Sequence, residues 1–196
     1  MTETPYTEGP YNPILAKLRL LAMAVFIVAL VALARPTVVS VVCGLVFVIA
    51  GESVRFWAAG HLFKTRELIT SGPYRYTRNP LYLGRLLIFT GVAVMALLPY
   101  GLNWVILVLG WPFFFFVYLR RKERVEPARL LRFHGEAYQR YFEAVPALFP
   151  TARPFSGEGS QGEWKMERML RNREYMMVLG LTLFTAFLLW RALTPV

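Results

Sequence analysis

The chain has 196 residues, of which 56% are hydrophobic and 15% aromatic, with a mean hydropathy of +0.43 and a formal net charge of +10. The length sets a prior of one domain, and the hydropathy excludes an ordinary water-soluble protein. A basic chain can serve a nucleic acid, but here the charge clusters beside apolar runs, where it sets topology and attracts anionic headgroups; no nucleic-acid partner is expected.

Residues 1–13, with Pro5, Pro10 and Pro13, read as an N-terminal tail. Lys17 and Arg19 introduce a first span over 20–34, and Arg35-Pro36 ends it. That run begins too far in, and is too long, for a cleavable signal peptide. A second span over 37–62 follows at once, so the two should form an antiparallel hairpin. The lone cysteine, Cys43, lies inside it and reads as a packing residue with no metal or disulfide partner. Glu52 and Arg55 stand at i,i+3 on one face of this span. Ionisable groups at that depth turn to the bundle interior or a polar cavity; the two either neutralise each other or face a substrate. The segment 69–84 interrupts the apolar pattern with tyrosines, arginines and turn residues.

A third span is expected over 86–98, then an uncharged turn, then a fourth span over 104–119. Pro112 predicts a kink there. Its phenylalanine run packs against core or lipid, with Phe115 and Phe116 as candidates to receive an acyl or prenyl chain. Arg120-Arg121-Lys122 ends the span. Over 126–142 the pattern becomes amphipathic, with Leu130, Phe133, Ala137, Tyr138 and Tyr141 on one face. Such a helix lies at the interface or packs under the bundle. Residues 151–165 read as a flexible linker, followed by a short basic helix and a last span over 175–193. The expected fold is all-α: one membrane domain with a core over 14–150, about five transmembrane helices, a cytoplasmic amphipathic helix, and an additional C-terminal segment over 166–196.

The charges fit that topology. Lys17, Arg19, Lys64, Arg66, Arg75, Arg78, Arg85 and the cations from Arg120 to Arg173 fall on one side, and only Arg35 and Arg191 on the other. This is a positive-inside pattern, so the 69–84 segment and the amphipathic helix share the cytoplasmic face.

No Ser/His/Asp set, metal spacing or phosphate-cradling glycine loop appears. What remains is Tyr74, Arg75, Tyr76, Arg78, Asn79 and Tyr82 at the head of one span, with Glu126, Arg129 and Arg132 after another. Arginines with a carboxylate can hold a zwitterion, and aromatic rings can accept a sulfonium or ammonium. An arginine cluster holding lipid phosphates is the alternative.

Gly72 to Gly84, G-P-Y-R-Y-T-R-N-P-L-Y-L-G, resembles the R-H-P-x-Y-x-G signature of the isoprenylcysteine carboxyl methyltransferase and phospholipid methyltransferase superfamily. The preceding stretch, Gly51 to Leu62, is similar to what these proteins carry there. Glu126, Leu130, His134-Gly135, Tyr138, Tyr141 and Val145-Pro146 resemble their C-terminal E-E-x-x-L-x-x-x-F-G-x-x-Y-x-x-Y-x-x-x-V-P pattern.

The resemblance covers about residues 40–150. It implies an integral membrane methyltransferase that binds S-adenosylmethionine between the two motifs and methylates a lipid or hydrophobic acceptor reaching it from the bilayer. On this reading Arg78 and Glu126 are catalytic, and Tyr76, Arg78, Asn79, Pro80, Tyr82, Gly84, Glu126, Arg132 and Tyr138 bind the cofactor. Glu52, Arg55, Phe115 and Phe116 would face the acceptor: a phospholipid amine, or a prenylcysteine-like carboxylate or thiol. Two positions depart from the pattern, Asn79 for histidine and Pro127 for the second glutamate. Neither can act as a base, but methyl transfer from a sulfonium depends mainly on alignment. A membrane reductase of the sterol-reductase type and a non-enzymatic lipid-binding protein are the competing readings.

Overall fold

The computed structural model describes residues 13–62, 68–157 and 161–194, so the tail 1–12 lies outside it. Every regular element among the described residues is helical. In chain order they are α1 (Pro13–Leu33), α2 (Val38–His61), a 3-10 turn (Gly72–Arg75), α3 (Pro80–Ala96), a second 3-10 turn (Pro99–Gly101), α4 (Leu102–Phe113), a π-helical stretch (Phe114–Leu119), α5 (Arg120–Ala144), α6 (Met166–Arg171) and α7 (Glu174–Leu193). Among the described residues, three stretches are long and apolar enough to cross a membrane: Val38–His61, Pro99–Glu123 and Glu174–Leu193. Two shorter apolar helices, Leu20–Leu33 and Pro80–Ala96, stand where the first and third spans were expected. The protein is a helical membrane bundle.

α2 and α3 form the spine. Thr37 caps α2 in a reciprocal box with Ser40, each side-chain oxygen accepting the other's backbone N–H. Further along, glycines let the two backbones meet. Gly44 faces Gly91 and Gly51 faces Gly84, an antiparallel match at seven-residue spacing on both helices. A Cβ on Gly51 would lie 2.7 Å from the Gly84 carbonyl oxygen. Because the obstacle is backbone, Gly51→Ala should lower stability by about 1–3 kcal/mol; thermal unfolding in detergent checks this.

The far end of the bundle holds the largest apolar core, with Leu30, Val41, Val48, Met95 and Leu188 buried together. There the Arg35 amide donates to the Ala96 carbonyl, and Arg191 donates to the last carbonyls of α1, at Val31 and Ala32. The two cations expected on the minority side therefore meet at one end.

Two expectations about α5 need correction, and the one about Pro112 gains detail. Pro112 lies inside α4, and a π-helical stretch begins two residues later, the kind of place where a helix bends. The amphipathic helix does not start anew at 126: α5 begins at Arg120 as a direct continuation of the fourth span, so Pro127 lies inside a helix rather than in its first turn. α5 also breaks at Gly135, where φ is +50° and ψ is −128°, a combination open essentially to glycine alone.

The C-terminal segment caps α2. Trp164 donates its indole N–H to the Phe56 carbonyl and stacks on the Phe56 ring at 5.3 Å. The Lys165 amide, Asn172 and Arg168 donate to Gly60, Ala59 and His61. These bonds satisfy the last-turn carbonyls that every helix leaves free. Residues 151–155 lie along the first motif, with the Thr151 and Phe155 amides donating to Tyr76 and Arg75.

Candidate active site

The site forms where the N-terminus of α3 meets α5. Pro80 opens α3 at its first position, which needs no N–H donor. Asn79 stands at the N-cap but makes no side-chain cap. Its amide is spent elsewhere: Nδ2 donates to Glu123 Oε1 at 2.6 Å and to the Ala147 carbonyl at 2.8 Å. Arg78 lies beside it, with Nη2 donating to Glu123 Oε2 at 2.5 Å and Nη1 to the Phe142 carbonyl at 2.8 Å. The guanidinium sits 3.6 Å above the Phe142 ring. Glu123 thus has one oxygen on each neighbour of the first motif.

The break at Gly135 makes this possible. A straight helix would place Glu123 and Phe142 about 28 Å apart, yet one arginine touches both. α5 therefore turns back on itself, and Arg78 clamps its two arms. The second arm is anchored by buried Tyr138, Tyr141 and Val145, packed against Leu68, Leu130 and Phe155. The Arg78 amide donates to the Pro146 carbonyl.

The Tyr141 hydroxyl donates to the Tyr74 carbonyl at 2.8 Å. Burial, above all, pushes its pKa upward. A raised folded value keeps the proton on in the native state, so this stability is present below the ordinary tyrosine value of about 10 and is lost as the unfolded chain ionises above it. Tyr141→Phe should flatten the loss of stability above pH ~10 while costing about 1 kcal/mol near neutrality; unfolding scans against pH check both.

Beside the clamp is an aromatic wall. Tyr82 stacks on Tyr118 at 4.9 Å, with Phe114 at 6.2 Å. The Lys122 ammonium lies 4.5 Å from the Tyr82 centroid and the Arg85 guanidinium 5.3 Å. This face already accepts cations. Phe115 is half-buried and continues the wall to Trp111 and Phe149. Phe116 is 69% exposed and points away from it.

The other sequence candidates separate by place. Tyr76 is half-buried, with its carbonyl engaged by Thr151. Tyr138 is buried in the second arm, and Arg132 is exposed on the first. Gly84 faces α2, so its lack of a side chain serves packing. Glu126 lies on the first arm one turn after Glu123, but its side chain and that of Arg129 lie outside the described ones. Glu123 is the residue that sequence reasoning missed. Its signal was present, a second carboxylate three residues before Glu126 on a helix, hence on the same face.

Glu52 and Arg55 are not a pair. Arg55 is bound by Glu174 of α7, through Nε at 3.1 Å and Nη2 at 2.7 and 2.9 Å, and its Nη1 donates to the Leu81 carbonyl at 3.2 Å. Both partners are buried, at 6% and 7% side-chain exposure. Glu174 prevails because it reaches Arg55 with both oxygens from the start of a helix, where the macrodipole also favours an anion.

Comparison with known proteins fits this geometry. Residues 38–125 match the phospholipid methyltransferase family. Human protein-S-isoprenylcysteine O-methyltransferase is 33% identical over 122 residues, covering 56% of this chain and 40% of the human protein. The rat and mouse proteins of that name are 33% and 32% identical over 120 residues, covering 55% of this chain and 40% of each. The chain thus spans less than half the length of these curated relatives. No solved structure matches it significantly. The matched span contains the glycine-packed α2–α3 pair, Arg78, Asn79 and Glu123, and over that region the chain is similar to the phospholipid methyltransferase family and to these isoprenylcysteine O-methyltransferases.

Proposed function

We propose that the protein is an S-adenosylmethionine-dependent methyltransferase that works at the membrane on a lipid or lipophilic small-molecule acceptor. One observation carries the reading: an arginine, an asparagine and a glutamate converge at the head of α3, beside an aromatic face that holds cations.

The residues suit this cofactor. Arg78 keeps a buried Nε that has no acceptor among the described residues, a donor suited to a carboxylate. Glu123 suits an α-ammonium. Tyr82, with Tyr118 and Phe114, suits a sulfonium in the way it now suits Lys122. When bound, S-adenosylmethionine supplies an electrophilic methyl group. The chain's own contribution is alignment and exclusion of water: Arg78 and Glu123 orient the amino-acid end, Asn79 holds Glu123 as a donor that does not titrate, and the aromatic wall leads toward the bilayer. The positive-inside charge pattern supports a site on the cytoplasmic face, and the same cations suit anionic headgroups.

The test is incorporation of labelled methyl from S-adenosylmethionine by the purified protein, with total membrane lipid as acceptor. Labelled lipid is expected from wild type and none from Arg78→Ala; incorporation unchanged by Arg78→Ala would remove the clamp from the reaction.

A further inference from the structure

Arg55 is already matched by an anion: Glu174 takes its Nε and Nη2, and the Leu81 carbonyl takes one N–H of Nη1. Glu52 lies one turn deeper on α2. Both of its carboxylate oxygens are buried, with no hydrogen-bond donor among the described residues. The charges acting on it are Arg55 and Glu174. Two carboxylates against one guanidinium leave the seam between α2 and α7 one positive charge short. Buried without a partner, a carboxylate is costly unless a proton or a cationic donor joins it. At membrane depth such a group marks a ligand path.

The seam lies next to the proposed reaction centre. The Arg55 side chain runs against Gly84 and holds the carbonyl of Leu81, in the first turn of the helix that carries Tyr82. It is also open to lipid: Glu52 itself is partly exposed, and Ile49, Ser53 and Phe56, its neighbours on the helix surface, are exposed.

We propose that Glu52 is the acceptor-recognition group and that it takes a lipophilic amine from the bilayer in preference to a lipid carboxylate. The assignment rests on the methyltransferase reading and narrows it. A carboxylate entering here meets the like charges of Glu52 and Glu174, and the one guanidinium beside them is already neutralised by Glu174. An amine supplies the donor and the charge the seam lacks, and its chain stays in lipid.

The test uses the full-length protein in phosphatidylcholine nanodiscs. Dodecylamine and dodecanoate are titrated against wild type and Glu52→Gln, with empty nanodiscs subtracted and S-adenosylmethionine titrated in the same samples. Wild type should prefer the amine by about 30-fold, the scale for a buried charge pair. Glu52→Gln should lose that preference while keeping wild-type affinity for S-adenosylmethionine and a cooperative unfolding transition. Equal binding of the two probes by wild type, or an undiminished amine preference in Glu52→Gln, overturns the assignment; the latter marks Glu52 as a protonated packing residue. Amine preference without S-adenosylmethionine binding overturns methyl transfer and leaves the Glu52 site standing.

Discussion

Replacing Glu123 by alanine should lower the affinity for S-adenosylmethionine by about 30-fold or more. Truncating one partner of a largely desolvated charge pair costs about 2–5 kcal/mol, and 1.4 kcal/mol is tenfold in affinity. Glu123 holds both Arg78 and Asn79, so its loss frees the guanidinium and leaves the Asn79 amide with only the Ala147 carbonyl. Arg78→Ala should have an effect of the same size, since it also removes a clamp between the two arms of α5. Asn79→Asp should match these, because it sets a second carboxylate against Glu123. Asn79→His, the residue of the family pattern, can still donate to Glu123 and should retain binding. Calorimetric titration of each variant in detergent measures all four.

Removing Glu174 should cost about 3–5 kcal/mol of stability, because it leaves Arg55 charged and buried without its anion. The ion pair spans 119 positions and ties α7 to α2. It also holds Leu81, so Glu174→Ala should shift the head of α3 as well as loosen α7. A buried pair is often replaceable by apolar groups of similar volume, so the double variant Arg55→Met, Glu174→Leu should recover much of the loss. Thermal unfolding of the singles and the double closes this cycle. A double variant no more stable than Glu174→Ala would mean that packing, not the unpaired charge, sets the cost.

Much of the fold was legible in the chain because membrane helices declare themselves by length and composition. The expected second span, 37–62, lies within a residue of α2 at each end, and the last, 175–193, within a residue of α7. The first motif was legible as well, since polar residues between apolar runs are costly and stand out. What the chain could not show was contact across long separations. Glu52 was the nearest carboxylate to Arg55 in sequence, yet the partner is Glu174, because a residue at i−3 cannot match two oxygens arriving from a facing helix. Glu126 carried the family pattern, and Glu123 makes the contact. The fold-back of α5 hung on Gly135, whose backbone angles no periodicity reveals. Pro112 marked an irregularity in the fourth span, but its form, a π-helical stretch beginning two residues later, is not written in the sequence pattern.

Arg78, Asn79 and Glu123 form the proposed site for S-adenosylmethionine. Calorimetry of purified wild-type protein with that compound, with NADPH as the parallel ligand, tests it most directly. Saturable one-site binding of S-adenosylmethionine, none of NADPH, and loss of the signal in Glu123→Ala are the expected results. A folded wild-type protein that gives no heat with S-adenosylmethionine would contradict the account.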